Sequence, residues 1–143
     1  VVLDLFSGSG GLCIESLSRG ASKAFFIEKN IKCIPIINDN IARTGLRDRA
    51  VVANVDFEIF LTKAKRNGLI FDIIFLDPPH KKGLGLKALK IISENNLLND
   101  GGIIVVEHHP DEDYPDECNN FDKFKFKKYG NTTLTFYKLK GEI

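Results

Sequence analysis

The sequence lacks the features that cross-link a protein or anchor it in a membrane. It has only three cysteines, Cys13, Cys33 and Cys118, and none belongs to a CxxC pair, which argues against a disulfide framework and against a zinc site. No apolar run reaches the roughly 18 residues that a membrane-spanning helix needs, and no secretion signal opens the chain. We therefore expect reduced thiols, no bound metal and a soluble, cytoplasmic protein.

The sequence is also short of net charge and of methionine. Its 20 basic and 19 acidic residues give a formal net charge of +1, so any surface that binds nucleic acid must be local. Methionine is absent, and the chain opens inside an apolar, strand-like run at Val1. The 143 residues are enough for one globular domain. We expect a single monomeric domain over residues 1–143 that lacks an N-terminal segment.

Short apolar runs alternate with segments of helical length, and this pattern predicts an α/β fold with helices on both faces of a sheet. Parallel strands are expected over residues 1–6, 23–27, 50–54, 71–76 and 102–107, because the connections between them are long enough for crossovers. Helices are expected over residues 12–19, 31–44, 57–66 and 84–94, and a turn over 95–101. Alternating residues over 124–139 predict a final antiparallel hairpin. Together they predict a doubly wound, mostly parallel, seven-stranded sheet.

The first predicted strand runs into a glycine-rich loop, Asp4-Leu5-Phe6-Ser7-Gly8-Ser9-Gly10-Gly11. Glycines let the backbone turn tightly and approach a ligand, and free amides at a helix N-terminus attract an anionic group. Cys13 stands where the dinucleotide fingerprint has its third glycine, which weakens a pyrophosphate-binding interpretation. The loop therefore predicts a nucleotide-type site, and a purely structural turn is the alternative.

Acidic residues follow the second and third predicted strands. Glu28 comes 20 positions after Gly8, where an acidic side chain in this topology takes both hydroxyls of a ribose; a surface ion pair with Lys29 is the alternative. Asp56 lies beyond the third strand on the same edge of the sheet. It can accept a hydrogen bond from an adenine amino group, or it can cap the helix that follows.

The fourth predicted strand halts at Asp77-Pro78-Pro79-His80. Two prolines in succession restrict φ and remove backbone donors, so their carbonyls are free to accept hydrogen bonds from a ligand. Beside a carboxylate, these acceptors can hold the exocyclic amino group of a base, and the ring at position 80 can stack on that base. A rigid turn with a capping aspartate is the alternative.

Lysines are concentrated in the predicted C-terminal hairpin, at positions 123, 125, 127, 128, 138 and 140, whereas the segment from Glu107 to Glu117 is acidic. A solvated strand face explains such a run in most proteins. The alternative is a surface that faces the phosphates of a nucleic acid.

These motifs together resemble the class I S-adenosylmethionine-dependent methyltransferases that act on exocyclic amines. Within that class, the chain is similar to the bacterial small-subunit (16S) ribosomal RNA guanine-N2 methyltransferases. The resemblance covers nearly the whole chain: the segments 3–10, 15–20, 26–28 and 75–79 and the hairpin segments 129–132 and 136–137.

The resemblance implies a Rossmann-like methyltransferase fold, S-adenosylmethionine as cofactor, and ribosomal RNA or an assembling small subunit as partner. Its cofactor residues would be Asp4 near the amino group, Phe6, Ser7, Gly8, Ser9 and Gly10 along the ligand, Glu28 on the ribose with Lys29 beside it, and Asp56 at the adenine. The catalytic residues would be Asp77, Pro78, Pro79 and His80. Asp77 and the Pro78 carbonyl would accept hydrogen bonds from the two protons of the guanine amine, and the His80 ring would stack on the base.

This chain departs from the family at two points. It has His80 where the family carries tyrosine or phenylalanine, and we expect it to lack the family's segment before the first strand. Three other functions stay open: a nicotinamide or flavin oxidoreductase, a non-catalytic RNA-binding or ribosome-assembly module, and an amine methyltransferase that acts on DNA or on protein glutamine.

Overall fold

The computed structural model describes residues 1–80 and 83–142. The strands are β1 (Val2–Asp4), β2 (Ala24–Ile27), β3 (Ala50–Ala53), β4 (Phe71–Leu76), β5 (Leu98–His108), β6 (Glu117–Cys118), β7 (Phe121–Tyr129) and β8 (Thr132–Leu139). The helices are α1 (Gly11–Ser18), α2 (Ile34–Thr44), α3 (Phe57–Arg66) and α4 (Leu84–Glu94).

The strands form one sheet in the order β3-β2-β1-β4-β5-β8-β7-β6. Strands β1 to β5 are parallel, and β8, β7 and β6 continue the sheet in antiparallel pairs. The doubly wound α/β fold with its final hairpin is therefore confirmed. A two-residue turn joins β7 to β8, and Gly130 in that turn has a positive φ of 57°.

The prediction of seven strands is wrong, because the described residues form eight. The additional strand, β6, has two residues, and Cys118 pairs with Phe121 at the edge of the sheet. Strand β5 also begins earlier than predicted, because Leu98 pairs with Phe71 before the register shifts. Segments this short carry no periodicity of their own, so only their pairing partners identify them as strands.

Helices cover both faces of the parallel part of the sheet. Helices α1 and α2 contribute Cys13, Leu17, Ile37 and Ile41 to one buried cluster. Helices α3 and α4 pack on the opposite face, and their buried residues are Phe57, Phe60, Leu61, Ala64, Ala88, Leu89 and Ile92. No helix in the described part of the chain is both long and apolar enough to cross a membrane.

Parallel pairing brings the carboxyl ends of β1 to β5 to one edge of the sheet. Strand β8 runs the other way and pairs Thr133 with His108, so the hairpin turn lies at that edge too. Open α/β sheets bind ligands at this edge, and each predicted site residue lies there or in a loop that leaves it.

Candidate active site

The glycine-rich loop and Glu28 are joined by hydrogen bonds. The Gly8 amide donates to Glu28 Oε1 at 2.8 Å, and the Asn30 amide donates to Glu28 Oε2 at 2.8 Å. The carboxylate thus connects the loop after β1 to the loop after β2. The surface ion pair considered as its alternative is not what holds this side chain.

Gly10 closes the loop where a side chain has no room. Its φ is +87°, and a Cβ there would come within 2.9 Å of the buried Phe26 ring. Glycine is therefore required at position 10 for its backbone conformation and for its size.

Asp4 is buried at the start of the same loop, with 1% of its surface exposed. Its Oδ1 accepts a hydrogen bond from the Phe6 amide at 3.1 Å. Burial raises the pKa of the Asp4 carboxyl to about 7, and the charges of Asp77, Glu28 and Glu107 act in the same direction. The group is therefore poised between its neutral and ionised forms near neutral pH.

A cleft of about 720 Å³ opens between the loops after β1, β2 and β3. Its lining includes the predicted residues Phe6, Glu28, Lys29 and Asp56. It also includes Pro79 from the segment Asp77-Pro78-Pro79-His80, called the proline segment below. This volume lies within the range of small-molecule sites. A ligand in the cleft would therefore touch residues that the sequence assigned to the cofactor and, through Pro79, the segment assigned to the amine.

Asp56 takes part in both interactions that the sequence left open. Its Oδ1 accepts a hydrogen bond from the Glu58 amide at 3.2 Å, which caps α3. Its Oδ2 lies 3.9 Å from Lys29 Nζ on the wall of the cleft. The cap uses one oxygen, so the other oxygen can still meet a ligand.

Sequence reasoning missed the apolar walls of the cleft, which come from Ile31, Phe57 and Leu84. Ile31 is 64% exposed although it is a large apolar residue. The available signal was the position of Ile31, three residues after Glu28 and thus at the carboxyl edge of the sheet.

The proline segment lies between this cleft and a second, smaller pocket. Pro79 lines the cleft, whereas Asp77, Pro78 and His80 line the pocket of about 180 Å³. Glu107, His108, His109 and Glu112 from the end of β5 and Asn131 and Thr132 from the hairpin complete that pocket. The four residues predicted to hold an amine thus lie where two cavities meet.

Asp77 and Glu107 form a pair of carboxyl groups that sequence reasoning did not predict. Leu76 pairs with Val106 in parallel register, so the next residues of β4 and β5 are neighbours. Burial raises the pKa of the Asp77 carboxyl to about 6, and the charge of Glu107 and a hydrogen bond to Glu107 add to this effect. The aligned ends of the two apolar strands were the available signal.

His80 contacts other side chains although it is exposed. Its Nδ1 lies 3.0 Å from Glu112 Oε1, and its ring meets the His109 ring edge-on with centroids 4.7 Å apart. The His80 side chain is 46% exposed, so one part of the ring stays accessible from the small pocket.

The lysine hairpin carries exposed aromatic rings among its lysines. Phe124, Phe126 and Tyr129 are 44%, 59% and 57% exposed. Lys125 Nζ lies 5.6 Å from the centre of the Phe136 ring, so at least one lysine packs over a neighbouring ring. The turn of this hairpin contributes Asn131 and Thr132 to the small pocket that Asp77 also lines.

Comparison with known proteins identifies the family. The family model described as Conserved hypothetical protein 95 matches residues 1–138. The chain belongs to this family. It is 36% identical over 139 residues to YlbH of Bacillus subtilis, covering 97% of this chain and 76% of YlbH. It is 30% identical over 140 residues to Ribosomal RNA small subunit methyltransferase D of Escherichia coli strain K12, covering 98% of this chain and 69% of that protein.

Solved structures give the same answer for the fold. A conserved hypothetical protein from Streptococcus pyogenes matches with a TM-score of 0.87 and 37% identity, over 98% of this chain and 86% of that one. An RNA methyltransferase from Salinibacter ruber, solved with S-adenosyl-L-homocysteine, shares the fold with a TM-score of 0.73 at 16% identity, over 99% of this chain and 82% of that one.

The predicted methyltransferase family and fold are therefore confirmed, and S-adenosylmethionine is the cofactor of that fold family. Membership of the Conserved hypothetical protein 95 family also favours methyl transfer over the nicotinamide or flavin alternative. The roles of individual residues stay predictions.

Proposed function

We propose that this chain transfers a methyl group from S-adenosylmethionine to the exocyclic N2 amine of a guanine in small-subunit ribosomal RNA. The observation that carries the proposal is the position of Asp77-Pro78-Pro79-His80 between the large cleft and the small pocket. A methyl donor in the cleft and an amine in the pocket would meet at this segment.

The residues of the cleft fit the cofactor. The Glu28 carboxylate suits the ribose hydroxyls, and Asp56 suits the adenine amine. Asp4 is 1% exposed and lies outside the lining of the cleft, so it would act on the amino-acid end through the loop backbone, which it holds by accepting a hydrogen bond from the Phe6 amide. The exposed Ile31 offers an apolar surface for the adenine ring. When bound, S-adenosylmethionine supplies a methyl group activated by its sulfonium centre.

Asp77 and Pro78 would orient the amine. The guanine N2 lone pair is conjugated with the ring, so the amine is a poor nucleophile. Hydrogen bonds from its two protons to the Asp77 carboxylate and the Pro78 carbonyl favour a pyramidal nitrogen whose lone pair points at the methyl group. His80 would stack on the base and limit its rotation.

The Asp77–Glu107 pair would receive the proton that the reaction releases. The N–C bond forms as the S–C bond breaks, so the nitrogen becomes positively charged and must lose one proton. A carboxylate whose pKa lies at about 6 accepts that proton transiently and returns it to water at neutral pH.

Two observations support ribosomal RNA as the substrate: the composition of the hairpin and the names of the relatives. Lysines and exposed aromatic rings are the groups that hold phosphates and unstacked bases. The hairpin that carries them lines the small pocket through Asn131 and Thr132 at its turn. Relatives such as the Escherichia coli protein are named as small-subunit ribosomal RNA methyltransferases.

The test combines cofactor binding with product analysis. We expect Asp77→Ala and Asp77→Asn to reduce methyl transfer to ribosomal RNA by at least about a hundredfold, because general acid–base and positioning contributions reach that size. Calorimetric titration should show S-adenosylmethionine affinity nearly unchanged. Asp113→Asn, an exposed carboxylate after β5, is the matched control and should keep full activity.

Mass spectrometry of the digested RNA then identifies the methylated atom. N2-methylguanosine supports the proposal. A methylated adenine, methylation of DNA or of a protein glutamine in preference to RNA, or near-normal turnover by Asp77→Ala would overturn it. Absence of S-adenosylmethionine binding by the wild-type protein would instead favour the non-catalytic RNA-binding module.

A further inference from the structure

A cluster of two histidines and one aspartate lies beside the small pocket. His80 follows β4, and His109 and Asp111 follow β5. One ligand atom from each residue lies within 4.8 Å of the other two. From this cluster we infer that the chain binds one Zn²⁺-class ion through His80, His109 and Asp111, and that the ion joins the loop carrying Asp77 to the loop after β5.

The distances within the cluster fit a shared ion. Asp111 Oδ1 lies 2.6 Å from His109 Nδ1 and 3.9 Å from His80 Nε2. Ligand atoms that bind one tetrahedral zinc at about 2.0–2.1 Å lie roughly 3.3–3.4 Å apart, which falls between these two distances. All three ligand atoms lie within 4.8 Å of one another, so small side-chain rotations would bring them onto one ion.

Glu112 orients His80 for this role. Its Oε1 lies 3.0 Å from His80 Nδ1 and accepts a hydrogen bond from the His109 amide at 3.1 Å. A histidine that donates one ring N–H to a carboxylate presents its other nitrogen to a metal, and this arrangement recurs behind zinc ligands. Glu112 therefore leaves His80 Nε2 facing Asp111.

The backbone favours the His109 tautomer in which Nδ1 carries a lone pair. The Asp111 amide lies 3.3 Å from His109 Nδ1, and an N–H group in that position favours a lone pair on the nitrogen. Asp111 Oδ1 lies 2.6 Å from the same nitrogen, and this contact is a hydrogen bond when Nδ1 carries a proton. A metal ion that takes the place of this proton would bind both atoms.

The donor set selects the metal class. Two imidazoles and one carboxylate suit Zn²⁺, Co²⁺ or Ni²⁺ better than Mg²⁺ or Ca²⁺, which prefer oxygen ligands alone. Three protein ligands leave at least one position for water. The cluster is partly exposed, with His80, His109 and Asp111 at 46%, 40% and 46%, so an ion can enter from solvent.

Calorimetric titration of the purified protein with ZnCl₂ tests the site. We expect one ion per chain. His80→Phe, His109→Gln and Asp111→Asn should each weaken binding by at least roughly ten- to a hundredfold, and Glu112→Gln by roughly ten- to a hundredfold, the range measured for outer-shell partners. These side chains are partly exposed, and circular dichroism should show that each variant is folded.

Cys33→Ser is the matched control, because Cys33 is only half-buried and a thiol is the strongest competing zinc ligand. It should leave zinc affinity unchanged. Co²⁺ replaces Zn²⁺ in a second measurement, and its visible spectrum should show bands of nitrogen and oxygen coordination without thiolate charge-transfer bands. No binding, binding that survives His80→Phe, or thiolate bands would overturn the proposal.

A consequence for activity rests on the proposed function. A metal-bound His80 is held against His109 and cannot stack on a base, so Zn²⁺ should slow methyl transfer by the wild type and not by Asp111→Asn. Equal inhibition of both proteins would overturn this competition. A protein that binds Zn²⁺ at the cluster but methylates nothing would count against the proposed function and not against the metal site.

Discussion

At the scale of single residues, the carboxyl pair at the ends of β4 and β5 controls the ionisation of the site. Asp77 must be a carboxylate to accept a proton from an amine, and its pKa of about 6 places that requirement just below neutral pH. Methyl transfer by the wild type should therefore rise with pH through about 6 and then level off.

Glu107→Gln tests this coupling. The charge of Glu107 and its hydrogen bond to Asp77 both raise the pKa of Asp77, and the variant removes the charge. We expect the inflection of the kcat/KM profile to move to lower pH, because kcat/KM reports ionisation in the free enzyme. A profile measured between about pH 4.5 and 8 checks it, and an unmoved inflection would show that Glu107 does not act on Asp77.

The raised pKa of Asp4 predicts how the stability of the protein depends on pH. Burial raises its pKa from 3.8 to about 7, so between these values the unfolded chain releases a proton that the folded chain keeps. The stability that the neutral carboxyl provides is complete below about pH 4 and is lost as the pH rises to about 7. Asp4→Asn keeps an oxygen for the Phe6 amide and cannot ionise.

The variant should therefore gain stability relative to wild type as the pH rises. The difference between pH 4 and pH 8 should reach at most about 4 kcal/mol, from roughly three pKa units at about 1.4 kcal/mol each. Urea unfolding at both pH values measures it, and Asp100→Asn, an exposed carboxylate, is the control. A difference that does not change with pH would contradict the raised pKa.

At the scale of elements, the loop between β1 and α1 contains two glycines that are required for different reasons. One is needed for its backbone conformation alone, and the other for its conformation and its small size. Gly8 has a φ of +57°, and no described atom lies within 4 Å of the Cβ that alanine would add. Gly10 has a φ of +87° and the buried Phe26 ring at 2.9 Å from that Cβ. The two positions thus form a matched pair.

We expect Gly8→Ala to destabilise the protein by about 1–2 kcal/mol, the usual cost of a left-handed conformation. Gly10→Ala should cost about 1–3 kcal/mol more, because the ring in the core must also move. Denaturant unfolding without cofactor measures both. Equal losses of stability in the two variants would mean that the Phe26 ring moves aside without destabilising the protein.

At the scale of the whole molecule, a net charge of +1 gives no general attraction to RNA, so any affinity must come from a local surface, and the hairpin is the surface that we propose. Lys127→Gln should lower the slope of log affinity against log salt by roughly one, since each phosphate contact releases about one counterion. Arg66→Glu at the far end of α3 is the control and should leave the slope unchanged. Equal slopes for Lys127→Gln and wild type would support a solvated strand face.

Much of the architecture could be read from the sequence because its signals are local. The predicted bounds of α3 and β4 agree with the structure, since periodicity and capping lie within the segment itself. The glycine loop and Glu28 were also predictable, because a strand end, a turn and a fixed spacing bring them to one edge.

Tertiary structure alone decided the features that depend on pairing between distant segments. Strand β6 exists because Cys118 has a partner in β7, and the Asp77–Glu107 pair exists because β4 and β5 are in register. His80 and His109 meet for the same reason, although 29 positions separate them. Apart from β6, the order of strands, turns and helices along the chain follows from local sequence signals. Which side chains meet depends on the register of the sheet and on the burial of its edge, because neither is encoded in any single segment.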